Sequence, residues 1–555
     1  MGEFECMKNL YLNLESLDDR EAWEEKDIML PSYSIREVRK ESIESPRWLH
    51  FGAGNIFKMF PARIQDELLD SGLTDYGVSV ATSIDIDGIK GQFASVDNLT
   101  LAVGLRSDAQ LDLRVVGCVS EVLSAIPSDP DWKRMSRIFK DPHFSLVSYT
   151  ITEKGYSIYD SSGTFTKAVQ EEMRRDPYKC KHLMGITCLL LYERYLAGKY
   201  PLTLLSMDNL SHNGSVLGSA VKAYAKSWVK AGFMVPSFLS YIEDTTQISF
   251  PWSMIDKITP APDPDVAKML EAKGFYGTPE DGVTPFTFAN AEEAEYLVIE
   301  DSFTNGRPKW DERGVIFTSR DIVEKAEAMK VSTCLNPLHT ALAVYGCLLS
   351  FDKINEEMKD PDLVNLISGL SYKEGLPVVV DPEIIDPRTF LDTVINERFP
   401  NPFLPDTPQR IATDTSQKIS VRFGNNIRRY REKDETLLDQ LVYIPAVIAG
   451  WLRYLLGVND RGEEMALSPD PMLDHLRDTM SAITFGEDDE NAIEIALTKI
   501  LSNQRLFGQD LTETVLAPNI IQYFRMMNQG KGAVRQFLQG LPRYQESSDS
   551  TSEES

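Results

Sequence analysis

The 555-residue chain reads as an α/β protein, with an alternating strand–helix domain first and a mostly α-helical domain second. Three observations predict this. Short β-branched runs alternate with helical stretches through the first half, the pattern of a mainly parallel sheet with crossover helices. Beyond about residue 320 the apolar residues recur at helical spacing in long segments. The length itself exceeds what one compact core supports.

The elements follow in order. Residues 1–45 are acidic and intermittently apolar, and read as an extension lying across the surface. The first domain spans 46–322. "RWLHFGAGN" is an apolar strand running into a glycine turn, and "IFKMFPARIQDELLDSG" has helical spacing and a terminal glycine. "YGVSVATSI", "LDLRVVGCV", "FSLVSYTI" and "YPLTLLSM" are further strands. Helices such as "CKHLMGITCLLLYERYLAG" and "GSVLGSAVKAYAKSWVKAG" separate several of them. The second domain, 323–543, carries "SRDIVEKAEAMKV", "LHTALAVYGCLLSF", "DETLLDQLVYIPAVIAGWLRYLLG" and "DENAIEIALTKILSN". The end of the chain, 544–555, is serine- and acid-rich with almost nothing to bury, and is predicted to be disordered.

Composition narrows the function. Hydrophobic residues make up 42% and charged residues 25%, ordinary for a soluble globular protein. A net charge of -27 lacks the basic footprint that nucleic acid requires. A local basic pocket is still compatible with an anionic small molecule. The six cysteines form no CxxC pair and read as buried, reduced thiols. None of the six histidines has HExxH-like spacing, so no metal site is expected. "MGEFECMKNL" puts acids where a secretory signal needs a basic region. No stretch offers about 18 uninterrupted apolar residues. The expectation is a cytoplasmic protein without a membrane or nucleic-acid partner, as a monomer or small homo-oligomer.

The turn after the first strand of the alternating domain carries Gly52 and Gly54. A dinucleotide turn needs glycine where the chain bends and where backbone approaches the pyrophosphate, with a helix start facing the phosphates. Phe57 occupies the place of the usual third glycine. A bare GxG also fits a plain strand-to-helix turn, but its place at the first strand favours the cofactor. The next strand ends in Ser83, Asp85 and Asp87. A carboxylate there accepts hydrogen bonds from ribose hydroxyls and repels a 2′-phosphate, which favours NAD over NADP. Asp85 is the preferred residue, with a solvated turn as the alternative; register alone does not decide which acid lies over the ribose.

A metal-free alcohol dehydrogenase needs a base for the hydroxyl proton, donors for the developing alkoxide and a nicotinamide for the hydride. A buried lysine, its pKa lowered by desolvation, can be that base, and asparagine amides can hold the oxyanion. "SMDNLSHNG" (206–214) follows a strand and offers Asn209. "SFPWSMIDKITP" (249–260) and "VIEDSFTNGRP" (298–308) are rich in turn residues. "KVSTCLNPLH" (330–339) gathers Lys330, Asn336 and His339. Asn209 and Asn336 also fit structural roles, in a tight turn and as the cap of a helix whose first residue is Pro337.

These stretches resemble the mannitol dehydrogenase family, which includes the fructuronate, tagaturonate and mannitol-1-phosphate reductases. The matching motifs are GAGNIF at 52–57, TITEKGY at 150–156, SMDNLSHNG, FPWSMIDKITP, IEDSFTNGRP, EAMK at 327–330, LNPLHTALA at 335–343 and RIATDTSQK at 410–418. They run in family order and cover about 48–540. The resemblance implies a metal-independent NAD(P)-linked oxidoreductase with a Rossmann-like first domain and a helical second domain. It implies that Gly52, Gly54, Asn55, Ile56 and Phe57 hold the cofactor, with Glu153 in a cofactor-side loop. Lys330 becomes the general base, and Asn209 and Asn336 polarise the substrate oxygen. His339 orients the substrate, and Glu327 helps the proton leave. Arg410 and Lys418 contact the far end of the substrate, and Asp256 lines the cleft beside the nicotinamide.

One departure stands out. The family usually has four residues between lysine and asparagine; here there are five, Val331 to Leu335. On an unbroken helix the nine positions from Lys330 to His339 make about two and a half turns and face opposite ways. A π-bulge, a kink or a break is required to bring them together. As to substrate, Arg410, Lys418 and Arg422 form a basic cluster, and Thr413 stands where neutral-polyol members often carry histidine. D-fructuronate/D-mannonate is the preferred pair and mannitol or another polyol the alternative. An NAD-binding epimerase or sensor without net redox turnover is the alternative from another class.

Overall fold

Six strands of the first half are apolar on both faces, and in the computed structural model of the chain they form one all-parallel sheet. The structure describes residues 9–160 and 162–545. The strands are β1 (Trp48–Phe51), β2 (Val78–Thr82), β3 (Val119–Ser124), β4 (Leu146–Tyr149), β5 (Leu202–Ser206) and β6 (Ile248–Ser249). Their spatial order, β3-β2-β1-β4-β5-β6, is that of a doubly wound dinucleotide fold, and the winding reverses between β1 and β4. Helices α1 (Asn55–Met59), α2 (Pro61–Asp70), α3 (Ile86–Ser95), α4 (Trp132–Lys140), α5 (Leu183–Gly198) and α6 (Asn213–Lys230) belong to its crossovers. Alternate residues feed two cores. Trp48, Val78, Val80 and Leu205 enter one cluster, and Leu49, Ala81, Val147 and Leu204 the other. Burial on both faces explains why these strands read as continuous apolar runs.

A histidine lies among the buried residues of that sheet. The Nδ1 of His50, in β1, lies 2.7 Å from Ser148 Oγ and its Nε2 2.9 Å from Thr150 Oγ1. Its ring stacks on Phe57 at 4.1 Å. Burial pushes its pKa down to about 3, so the imidazole is neutral.

Three expectations are corrected here. Residues 9–45 do not merely lie across the surface: Leu10, Leu12, Trp23 and Ile28 are buried, and Ile28–Met29 pairs in parallel with Leu111–Val116. The scattered apolar positions of this acidic segment are its anchors. The Leu111–Val116 strand itself lies outside the six-stranded sheet, in a four-stranded one with Thr100–Leu105 and Phe288–Glu292. The helix after the glycine turn is split. α1 ends at Phe60 (φ −126°, ψ −80°) and α2 restarts at Pro61, which has no N–H to carry the ladder through.

The chain divides between Glu324 and Lys325 into two compact units. Helix α7 (Arg320–Met329) spans that point in sequence, and α8 (Asn336–Leu349) and α9 (Asn425–Asp434) follow. The described residues of the second unit contain four π-helical segments, Lys330–Cys334, Gly369–Gly375, Val394–Arg398 and Ser420–Gly424. In the second of them, Glu374 accepts the N–H groups of Val442, Tyr443 and Ile444 at 2.5–2.9 Å. Of the segment predicted to be disordered, Tyr544 is ordered: it stacks on Tyr372 at 5.3 Å and donates its N–H to Asn365. Residues 546–555 lie outside the described residues. No described helix is long and apolar enough to cross a membrane.

The neutral His50 gives the first unit a defined acid sensitivity. Its pKa is near 6.5 in the unfolded chain and about 3 in the fold, so between these values only the unfolded state takes the proton. Stability therefore falls as pH drops from 6.5 towards 3, by about 2 kcal/mol at pH 5. In His50→Asn the loss of stability between pH 8 and pH 5 should shrink by that amount, read from urea midpoints by tryptophan fluorescence.

Candidate active site

Left-handed backbone marks the loops that matter. Asp85 (φ 43°) follows β2, Thr152 (φ 63°) follows β4 and His212 (φ 53°) follows β5. For a β-branched residue such as Thr152 this conformation is costly, and it persists only where the surroundings enforce it. Asp208 does so. Its carboxylate accepts the N–H groups of Ile151 at 2.8 Å and Thr152 at 3.0 Å, and the Tyr156 hydroxyl at 2.6 Å. Burial pushes the Asp208 carboxyl above its ordinary value despite these donors. Sequence reasoning stopped at its neighbour Asn209, although the strand-end position was a signal for both.

The glycine turn fits a dinucleotide. Gly52 closes β1 at φ +120°, and a Cβ there would stand 2.3 Å from the Thr150 carbonyl oxygen. Gly54 is the opposite case: nothing lies within 4 Å of its would-be Cβ, so the space beside the turn is open to a ligand. Asn55 donates its amide to the Pro260 carbonyl at 3.0 Å. Ile56 is half-buried, and Phe57 fills the space over His50. Because α1 has only five residues, the turn offers a phosphate group its own backbone rather than a long helix dipole.

Gly52, Gly54, Asp85, Glu153 and Asn209 all follow the C-terminal ends of parallel strands, where ligands bind in open α/β sheets. Asp85 is exposed, and Gly88 leaves room for its carboxylate over the first turn of α3. Glu153 and Asn209 are exposed too. A cavity of about 480 Å³ is lined by Glu153, Tyr156, Leu210, His212 and Ser215. His212 stacks on Trp252 at 4.2 Å, and the Arg320 guanidinium lies over Trp252 at 5.0 Å. Asp256 is not on the main sheet; it ends Ser253–Asp256, in a three-stranded sheet, and is buried.

In the second unit the extra residue becomes a π turn. Lys330 opens the segment Lys330–Cys334, and the Leu335 N–H returns to the Lys330 carbonyl, five residues back, at 3.0 Å. Lys330 is 2% exposed. Glu327 precedes it by almost one turn of α7. Asn336 is not the helix cap that the sequence offered as the alternative to a role at the substrate oxygen. Leu335 (φ −125°, ψ −63°) holds the cap position without a side-chain hydrogen bond, while Asn336 is the first helical residue and Pro337 the second. The π turn delivers the chain one residue further along, so the cap falls on an apolar side chain.

His339 lies in a cationic cluster. Its Nε2 is 3.2 Å from Asp406 Oδ2, but without hydrogen-bond alignment, and has no partner among the described residues. Burial, and then the charges of Arg422, Arg410, Arg398 and Lys418, push its pKa down to about 3. Arg410 is exposed and pairs with Asp406. Lys418 donates to the Thr413 carbonyl, and burial with the nearby Arg422 lowers its pKa. Arg422 donates to the Thr340 hydroxyl, and burial lowers its pKa to about 10. The structure thus brings His339, Arg410 and Lys418 together and adds Arg398 and Asp406, which sequence reasoning missed. Asp406, four residues before Arg410, had the spacing of an ion pair; Arg398 had no signal.

A doubly wound dinucleotide fold followed by a helical unit with a buried lysine is the build of a nicotinamide-linked oxidoreductase. Family models for the mannitol dehydrogenase Rossmann domain and the mannitol dehydrogenase C-terminal domain match residues 46–312 and 322–527. D-mannonate oxidoreductase of Thermotoga maritima is 48% identical over 95% of this chain and 98% of its own. The Pseudomonas fluorescens mannitol 2-dehydrogenase complex with NAD and D-mannitol superposes with a TM-score of 0.68 at 26% identity, covering 92% of this chain and 96% of that one. A substrate-free D-sorbitol dehydrogenase gives 0.77 at 26% identity, covering 92% and 97%. The chain belongs to the mannitol dehydrogenase family and is an oxidoreductase.

The two glycines should separate in solution. Gly52→Ala meets both strain and a clash, and should destabilise the first unit by about 2–3 kcal/mol. Gly54→Ala should melt like the parent but weaken NADH binding about tenfold or more, because the methyl enters the ligand's space. Thermal melts and NADH fluorescence titrations of both variants check this.

Proposed function

We propose that the protein interconverts D-mannonate and D-fructuronate with NAD. The observation that carries this reading is the charge around His339. In a chain of net charge -27, Arg398, Arg410, Lys418 and Arg422 face a single neutral imidazole with Asp406 beside it. Asp406 engages Arg410, and among the described residues Arg422 has a hydroxyl partner and no carboxylate. A half-buried guanidinium without a counter-ion suits a substrate carboxylate, which restores the interaction its desolvation removed. The likeness to a D-mannonate oxidoreductase supports the same substrate.

In this reading Gly52, Gly54, Asn55, Ile56 and Phe57 form the cofactor turn, with Glu153 nearby. Asp85, exposed after β2, accepts ribose hydroxyls and disfavours a 2′-phosphate. A bound nicotinamide exchanges a hydride with the carbinol carbon. Lys330, withdrawn from water, takes the hydroxyl proton during oxidation and returns it during reduction. Glu327 passes that proton on. Asn209 and Asn336 donate to the substrate oxygen, where charge develops. His339 stays neutral, and its Nε2 is free of other hydrogen bonds to orient a hydroxyl. Asp256 lines the nicotinamide side, while Lys418 and Arg422 take the carboxylate, with Arg410 at the rim.

NADH oxidation should run much faster with D-fructuronate than with D-fructose, and faster than NADPH oxidation. Arg422→Met should raise KM for fructuronate roughly 10–100-fold, the worth of a charge-assisted hydrogen bond, and leave fructose turnover unchanged. A preference for fructose would move the substrate to the polyols. NADH binding without turnover of either ketone would move the substrate to another sugar acid or polyol.

A further inference from the structure

The residue inserted between Lys330 and Asn336 leaves a local problem that one side chain answers. In π register a carbonyl looks five residues ahead for its N–H. For Ser332 that residue is Pro337, which has none. Asn426 supplies the donor: its Nδ2 reaches the Ser332 carbonyl oxygen at 2.7 Å and, more weakly, the Arg422 carbonyl oxygen at 3.4 Å. Its Oδ1 accepts the Thr333 hydroxyl at 3.3 Å and Arg429 Nη1 at 3.0 Å. Arg429 Nη1 also donates to Ser332 Oγ at 3.0 Å, and that hydroxyl donates back to the Ala328 carbonyl at 2.6 Å. Asn426 is 2% exposed.

The residue that does this is itself held in place. Asn426 follows the π segment Ser420–Gly424 and lies in the first turn of α9. At Gly424 a Cβ would meet the Phe507 carbonyl oxygen at 2.0 Å, so the backbone of this segment is packed without slack. Two π segments are therefore locked together through one amide, and the first of them begins with Lys330.

We infer that Asn426 is a positioning residue for Lys330: it fixes the register of the π turn and with it the direction in which the lysine projects. This rests on the reading of Lys330 as the base. Asn426 touches neither cofactor nor substrate in this account. Its effect is exerted through the Ser332 carbonyl and the Thr333 hydroxyl, two and three residues past the lysine.

Asn426→Asp is the informative variant, because it keeps the shape and the acceptor towards Arg429 while it replaces the Nδ2 donor with a carboxylate oxygen that repels the Ser332 carbonyl. It is compared with the parent, Lys330→Ala and the double variant, with active sites counted by NADH titration. The expected result is a kcat for D-fructuronate reduction lowered about 100-fold per NADH site, the scale of a misplacement of about 1 Å. KM and NADH affinity should stay within about threefold, because Asn426 meets Arg422 only at its backbone carbonyl and touches no side chain assigned to substrate or cofactor. The pH profile of kcat should move with it. In the Lys330→Ala background Asn426→Asp should cost nothing further, since both act on one group. A purely structural amide would lower the melting temperature and leave kcat per site and its pH profile intact. That outcome, or additive losses in the double variant, overturns the inference while Lys330 remains the base. Full turnover by Lys330→Ala overturns both. Should Asn426→Asp fail to fold, Asn426→Ser is held to the same criteria.

Discussion

The second unit depends on how a helix disposes of one surplus residue. Nine steps of an α-helix would set Lys330 and His339 about 180° apart, and a π turn removes about 100° of that. The Lys330–Cys334 segment performs this re-phasing, and the Leu335 to Lys330 hydrogen bond five residues apart is its signature. The same device recurs. Arg398 closes one π segment, Arg422 lies inside another, and Glu374 reaches a helix start from a third. π geometry is rare and less stable than α, and it persists where the aim of a side chain matters more than the ladder it weakens. Lys330, Arg398 and Arg422 all lie in such segments.

Charge is organised against the average. A strongly acidic chain collects four cations around a neutral histidine, with Asp406 beside it. Desolvating guanidinium groups costs energy that their mutual repulsion increases. The fold tolerates the cluster because Arg410 remains exposed and has its ion pair, and because Arg422 lends a hydrogen bond to Thr340. In the first unit the economy is different. The half-buried Asp208 accepts the backbone N–H groups of Ile151 and Thr152, and the buried His50 pairs with the hydroxyls of Ser148 and Thr150.

Much of this was legible in the sequence, for identifiable reasons. Apolar runs bounded by turns announce the parallel strands, because burial on both faces leaves no alternation. Gly52 is readable because a turn that close to Thr150 admits no other residue. The need for a π-bulge, kink or break followed from counting residues between Lys330 and His339. What stayed hidden depends on distant partners. Nothing local to "RFGNNI" reveals that Asn426 serves a carbonyl 94 positions earlier. A cap was an open alternative for Asn336 because caps are judged by residue type, and the π turn moved the helix start. The N-terminal segment read as a surface extension because its acids outnumber its anchors; Trp23, packed edge-on to Phe275, carries weight that composition does not register.

The strand order has a consequence for how the chain is made. β1 needs β4 beside it, and the two are separated by almost a hundred residues. At ribosomal speed that interval is roughly 5–20 s, during which an apolar strand has no permanent neighbour on one edge. The Thr100–Leu105 strand waits longer, since Phe288–Glu292 pairs with it from nearly two hundred residues downstream. Long-range parallel pairing of this kind folds slowly. The first unit is therefore born with open sheet edges, which stay unpaired until synthesis reaches the strands that close them.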